Sequence, residues 1–222
     1  MQAREGRETN HNKSALLVAM LLAGAVLVPS GPAQAGPGKS KDAHKAGQQG
    51  TVDQAYETFA GVAGDMDADG LADILWRNPS RGENLLWRMN GLSRESSDPV
   101  DPMDPQWQIA GVGDFDGDSS ADILWRHPDS TQTVVWLMDG SFTAYSANVG
   151  SVSAGWQVEG IGDFNGDGKC DILWRNAGTR KMFIWQMDGM NKFDKTPIGA
   201  VDASWSVAGV GDFDGDDMAD IL

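Results

Sequence analysis

Carboxylates recur in this chain at alternate positions of short loops, a pattern suited to a hard cation. Counted from the first aspartate of each loop, side-chain oxygens stand at positions 1, 3, 5 and 9. The first loop offers Asp65, Asp67, Asp69 and Asp73, and the second Asp114, Asp116, Asp118 and Asp122. The third offers Asp163, Asn165, Asp167 and Asp171, and the fourth Asp212, Asp214, Asp216 and Asp220. Alternate spacing in a tight turn brings oxygens toward one centre, and calcium takes about six to eight oxygen ligands at roughly 2.3 to 2.6 Å. Position 7, held by Leu71, Ser120, Lys169 and Met218, shares no side-chain chemistry and is expected to add its backbone carbonyl. Glycine at positions 4 and 6 of most loops permits the reversal. No His or Cys fills a ligand slot, which favours Ca²⁺ over zinc or copper. An EF-hand is excluded, because position 12 is Trp76, Trp125 or Trp174 in a strand-like run instead of a bidentate Glu. As bare acidic turns these clusters would repel internally with no counter-ion. The third loop is the most regular and is expected to bind best or second best.

The elements that position these loops follow from their spacing. Asp65, Asp114, Asp163 and Asp212 are each separated by 49 residues. All nine Trp obey the same interval in three series: Trp76, Trp125, Trp174; Trp87, Trp136, Trp185; and Trp107, Trp156, Trp205. A unit of this length is a supersecondary repeat that buries its faces only by stacking on its neighbours. In the third unit, short apolar runs predict strands over 156–161, 171–175, 182–187 and, more weakly, 192–198. Four strands per unit is the count of a propeller blade. The runs Ile-Leu-Trp and Val134-Val135-Trp136-Leu137-Met138 are apolar on both faces, as a strand sandwiched between sheets requires. Met89-Asn90-Gly91, Met138-Asp139-Gly140 and Met187-Asp188-Gly189 supply turn chemistry. The predicted fold is therefore all-β, a β-propeller of 49-residue four-stranded blades over 54–222. About three and a half blades are present, since the fourth unit stops at Ile221-Leu222. Closed propellers have roughly four to eight blades, so the sequence is expected to be a fragment of a larger propeller.

Outside the repeats, 1–35 reads as a signal peptide: Arg4, Arg7 and Lys13 precede an apolar run from Ala15 to Val28, followed by Ala33-Gln34-Ala35. The run is shorter than the roughly 20 residues of a spanning helix, so no membrane insertion is expected after cleavage. Residues 36–53 read as a flexible linker rich in Gly, Lys and Gln. The expected destination is secreted, periplasmic or cell-surface. A net charge of -15 argues against nucleic acid or anionic membrane as partner. With one cysteine, Cys170, no intramolecular disulfide can stabilise the exported chain.

The repeated Gly-Asp-Phe-Asp/Asn-Gly-Asp-x-x-x-Asp-Ile-Leu resembles the calcium loop of FG-GAP or VCBS-type repeats, found in integrin α-subunit propellers and in many bacterial exported proteins. The resemblance runs from about Gly61 to Leu222. Val112-Gly113 and Ile161-Gly162 replace the eponymous Phe-Gly, and Trp-Arg-Asn replaces Gly-Ala-Pro, which places the chain nearer the bacterial repeats than integrins. The resemblance implies a propeller, usually seven-bladed, with calcium in loops between strands.

The function expected is that of an exported, non-catalytic binding or adhesion scaffold with structural Ca²⁺ in each blade loop. Its partner would be an extracellular protein or a glycan. Alternatives are a calcium-dependent lectin-like propeller, or the accessory propeller of a secreted hydrolase. For the lectin reading, Trp87, Trp136 and Trp185 would supply stacking faces and Arg77, Arg126 and Arg175 polar contacts. The plainer reading puts the tryptophans in the blade core and the arginines at solvated strand edges. Enzymatic chemistry is disfavoured: His127 is the only histidine in the repeats, no acid, base and nucleophile set recurs, and Cys170 occupies the slot of Ala72, Ala121 and Ala219.

Overall fold

The computed structural model describes residues 62–129 and 131–222. The expected signal peptide and linker, 1–35 and 36–53, lie outside the described residues, as does the start of the repeat region. Among the described residues all regular structure is strand.

The first sheet comprises β1 (Val62–Gly64), β2 (Asp73–Asn78), β3 (Glu83–Trp87) and β6 (Asp98–Val100), with a small hairpin of β4 (Met89–Asn90) and β5 (Ser93–Arg94) between the last two. The second comprises β7 (Gln108–Gly113), β8 (Asp122–Arg126), β9 (Gln132–Asp139) and β10 (Phe142–Ser151). The third comprises β11 (Trp156–Gly162), β12 (Asp171–Asn176), β13 (Lys181–Asp188) and β14 (Asn191–Ala200), matching the four runs predicted for that unit. A two-stranded sheet of β15 (Val210–Gly211) and β16 (Asp220–Ile221) opens the fourth unit. Neighbouring strands pair antiparallel in each sheet, and each Asp loop joins a first strand to a second. These are the four-stranded antiparallel blades of a propeller.

Adjacent blades meet along their first strands, β1 beside β7, β7 beside β11 and β11 beside β15. The two-faced apolar runs are explained by this stacking. In β8, Ile123 and Trp125 face a core shared with the first blade, through Met66, Leu75 and Leu86. Leu124 between them faces a core shared with the third blade, through Ile172, Trp174 and Trp185. Every residue from Asp122 to Trp125 is therefore buried, whereas β2 alternates between buried and half-buried positions.

Close approach of the blades depends on the glycine before each loop. A Cβ at Gly64 would lie 2.6 Å from a Val112 methyl, at Gly113 2.8 Å from Cys170 Sγ, and at Gly162 2.7 Å from the Ala219 Cβ. The small residue at loop position 8 packs against the glycine of the preceding blade, which is why Cys170 stands in an alanine slot.

Candidate metal centres

The loops are shaped first by their own aspartates. The position-1 carboxylate accepts backbone N–H groups from within the turn. Asp65 is approached by Gly70 at 2.8 Å, Asp114 by Gly117 at 2.6 Å, Asp163 by Gly168 at 2.7 Å and Asp212 by Gly215 at 2.6 Å. The position-5 carboxylate accepts the N–H of position 7: Leu71 to Asp69 at 2.8 Å, Ser120 to Asp118 at 2.7 Å, Lys169 to Asp167 and Met218 to Asp216 at 2.9 Å. Positions 4 and 6 are left-handed in every loop. Where glycine is missing, Ala68, Ser119 and Asp217 take φ of 58°, 76° and 67°, conformations costly for residues with a Cβ.

Position 9 does more than line a cavity. Asp73, Asp122 and Asp171 are at most 1% exposed, and each uses both oxygens on backbone N–H groups. One accepts from loop position 2, namely Met66 at 3.1 Å, Phe115 at 2.8 Å and Phe164 at 3.3 Å. The other accepts from Met89 at 2.8 Å, and from Met138 and Met187 at 2.9 Å, the methionines that open the Met-Asx-Gly turns. This aspartate thus ties the loop to the end of its blade's third strand.

In three of the four loops the acids converge. Asp65 with Asp67 and Asp73, Asp114 with Asp116 and Asp122, and Asp212 with Asp214 and Asp220 each bring one oxygen per residue within 4.8 Å of one another. The converging set is positions 1, 3 and 9, while position 5 is turned to the N–H of position 7. In the third loop position 3 is the amide of Asn165, leaving Asp163 and Asp171 as the acids. Asp67 Oδ1 is shielded from solvent and has no hydrogen-bond partner among the described residues, an oxygen suited to a cation. Burial, above all, pushes the Asp122 carboxyl up to about 7 and that of Asp171 up to about 6. Asp116 is raised by burial and then by Asp118, and Asp214 first by Asp216. Crowded, part-buried carboxylates are what a divalent ion relieves. The donor set is all oxygen and fits calcium.

Near the loops, Arg88 and the side chain of Lys169, whose backbone carbonyl alone was expected to act, make contacts that the sequence reading did not assign. Arg88 Nε lies 3.7 Å from Asp67 and 3.6 Å from Asp98. Lys169, at position 7 of the third loop, pairs with Asp188, and its chain lies against Gly117 of the second loop. Their only signal was a basic residue at single, unrepeated positions.

The structure places the ligand-binding candidates in the packing. Trp136 and Trp185 are 8% and 2% exposed, and Trp87 is half-buried beneath Arg94. They pair at a steep angle with the first tryptophan series, at centroid distances of 4.8 Å for Trp76 and Trp87 and 5.0 Å for Trp125 and Trp136 and for Trp174 and Trp185. Neither Trp136 nor Trp185 offers a face for a sugar to stack on. Nor are Arg77 and Arg126 solvated edges. Arg77 is buried and donates to Asn84 Oδ1 and to the carbonyls of Met103, Asp104 and Trp107, with its guanidinium 4.8 Å above the ring of Trp125 in the next blade. Arg126 donates to the carbonyls of Thr131 and Val152 and lies 5.0 Å above Trp174. Among the described residues Arg175 donates to the Asp202 carbonyl, at 3.0 Å, in an exposed bond. A guanidinium is planar and weakly hydrated, so it can satisfy loop carbonyls of its own blade while stacking on the next.

Burial pushes the Cys170 thiol up to about 12, which keeps it from being a thiolate nucleophile. His127 contacts Gln106 Oε1 at 3.2 Å and meets Trp107 edge-on.

Comparison with curated proteins finds no match. Comparison with protein families matches the FG-GAP-like repeat over residues 65–125 and 163–222, more than half of the chain and all four Asp loops. With the blade architecture and the loop register, this match shows that the chain belongs to the FG-GAP-like repeat family.

Proposed function

We propose that this protein is an exported, non-catalytic scaffold for binding or adhesion, with a structural Ca²⁺ at each blade loop. The observation that carries the reading is the convergence of three carboxylates to within 4.8 Å in loops at the blade junctions. Positions 1, 3 and 9 would hold the ion through side chains, with the position-7 carbonyl and a reoriented position-5 carboxylate completing the shell. Calcium would supply positive charge to a part-buried anionic cluster. The residues themselves shape the turn, hold the position-9 carboxylate and tie each loop to its blade. Extracellular calcium modules commonly bind with Kd of about 10⁻⁴ to 10⁻³ M. At about 1 mM calcium each site then contributes roughly 0.4 to 1.4 kcal/mol by mass action.

FG-GAP repeats serve as binding scaffolds, and Trp136 and Trp185 are engaged in blade packing, which favours a protein or ligand scaffold over a tryptophan-lined lectin. The test is elemental analysis of protein purified from the culture medium and dialysed against 1 mM CaCl₂, with N-terminal sequencing. Calcium retained in near-stoichiometric ratio to the loops and a mature start at Gly36 are expected. Calcium-free protein would refute the metal reading, and an intact N-terminus retained in cells would refute export.

A further inference from the structure

Each junction between blades carries the same hydrogen bond from one Asp loop to the one before it. The N–H of Ala121 donates to the Asp65 carbonyl, that of Cys170 to the Asp114 carbonyl and that of Ala219 to the Asp163 carbonyl, all at 2.6 Å. The usual N–H···O separation is about 2.9 to 3.0 Å, so these contacts are close. The donor is loop position 8 and the acceptor is loop position 1 of the preceding blade. A side-chain contact repeats with it. Lys169 packs on Gly117 and Met218 on Gly166, so the position-7 side chain of one loop covers the position-4 glycine of the loop before it.

The chemistry lies in which peptide unit makes the bond. The N–H of Ala121 and the carbonyl of Ser120 belong to one planar trans peptide. With the N–H directed to the first blade, that carbonyl points to the opposite side. Position 7 is the residue that would lend its carbonyl to a calcium ion in its own loop. One peptide group therefore stands between two cation loops, its oxygen serving one and its hydrogen the other. The same holds for Lys169-Cys170 and for Met218-Ala219.

We infer that the cation loops are coupled along the blade series, so that filling one loop raises the calcium affinity of the loop before it, and reciprocally. The inference rests on the calcium reading above. A cation on the Ser120 carbonyl draws electron density from the peptide, makes the Ala121 N–H a stronger donor and tightens its bond to the Asp65 carbonyl. That bond fixes the backbone of Asp65, whose carboxylate is the first ligand of the neighbouring loop. Ordering is transmitted with no change of fold, and linkage requires the effect to be the same in both directions.

The experiment is a calcium titration of chelator-stripped full-length protein, using CaCl₂ and calorimetry, beside the double variant Asp116→Asn, Asp118→Asn. The asparagine amide oxygens can still accept the N–H bonds of Asp118 and Ser120, so the turn of the second loop is retained while two charges are removed. The unmodified protein is expected to bind with a Hill slope above 1. In the variant, the remaining loops should bind about 5-fold more weakly, the lower end of ordinary coupling. Calcium binding with a slope of 1 or below, or with unchanged affinity in the remaining loops, overturns the coupling and leaves the calcium reading standing. Failure of the unmodified protein to bind calcium at millimolar concentration overturns both. The Hill slope of the unmodified protein decides the matter if the variant does not fold.

Discussion

The junction between the second and third blades and the junction between the third blade and the short fourth sheet share one loop design but differ in core. At the first, Phe115, Leu124, Val135, Ile172, Trp174 and Trp185 are among eleven buried residues of one cluster. At the second, three residues are buried, Leu173, Met182 and Ile184; Phe213, the repeat equivalent of buried Phe115, is 58% exposed, and Trp205, the equivalent of half-buried Trp107 and Trp156, 69%. Yet the fourth loop keeps its internal bonds, with Gly215 on Asp212 at 2.6 Å and Phe213 on Asp220 at 3.0 Å. It also keeps the bond from Ala219 to the Asp163 carbonyl at 2.6 Å. The turn is encoded locally by aspartates and left-handed residues, whereas burial of the aromatic side chains is supplied by the neighbouring blade.

The largest contrast should come from tryptophan truncation. Trp174→Ala empties a fully buried site between blades and should cost about 3 to 5 kcal/mol in chemical denaturation. Trp205→Ala should fall within about 0.5 kcal/mol, as exposed positions do. Equal losses would mean that the two junctions are equally packed. The arginines sharpen the same contrast. Arg126→Met removes bonds to two carbonyls and the stack on Trp174, and should cost about 1.5 to 3 kcal/mol. Arg175→Met, which loses one exposed bond, should cost about 0.5 kcal/mol or less.

The acids give a pH signature confined to the buried loops. In calcium-free protein the carboxyls of Asp122 and Asp171 sit at about 7 and about 6, above the ordinary 3.8. The folded state then binds protons more tightly than the unfolded state. Stability from these groups is complete below pH 4 and lost as pH rises through 6 to 7. Calcium-free protein should therefore melt higher at pH 5 than at pH 8, and added calcium, which needs ionised carboxylates, should reverse that order. A melting temperature independent of pH from 5 to 8 without calcium would contradict the burial of these acids.

Smaller effects test the claim that the turns are local. Ser119→Gly and Asp217→Gly each relieve a left-handed residue with a Cβ and should stabilise by about 0.5 to 1 kcal/mol, despite the unequal cores around them. The smallest effect concerns position 7, where one junction has Lys169 and the other Met218. Lys169→Met should raise the calcium affinity of the second loop modestly by removing a cation that acts on Asp116.

Much of this was legible because it is encoded within one repeat. The 49-residue register, the four strands of the third unit and the glycines of the turn are local features, and each stands as read. The arginine roles were not legible. Arg77 and Arg126 satisfy carbonyls about 26 to 30 residues away and stack on a tryptophan one blade further on, contacts that no local period encodes. The double use of the position-9 aspartate was hidden in the same way, because its second donor lies 16 residues away on another strand. The glycine before each loop was visible in the repeat, but its purpose emerges only when two blades are brought together.

The most direct test is thermal unfolding of the protein in 1 mM calcium and again after complete chelation. With a site in each loop, chelation should lower the melting temperature by several degrees, and calcium should restore it where the same concentration of magnesium, smaller and more demanding of octahedral geometry, restores less. A melting temperature unchanged by chelation in protein shown to be folded would contradict calcium as the structural ion of these blades.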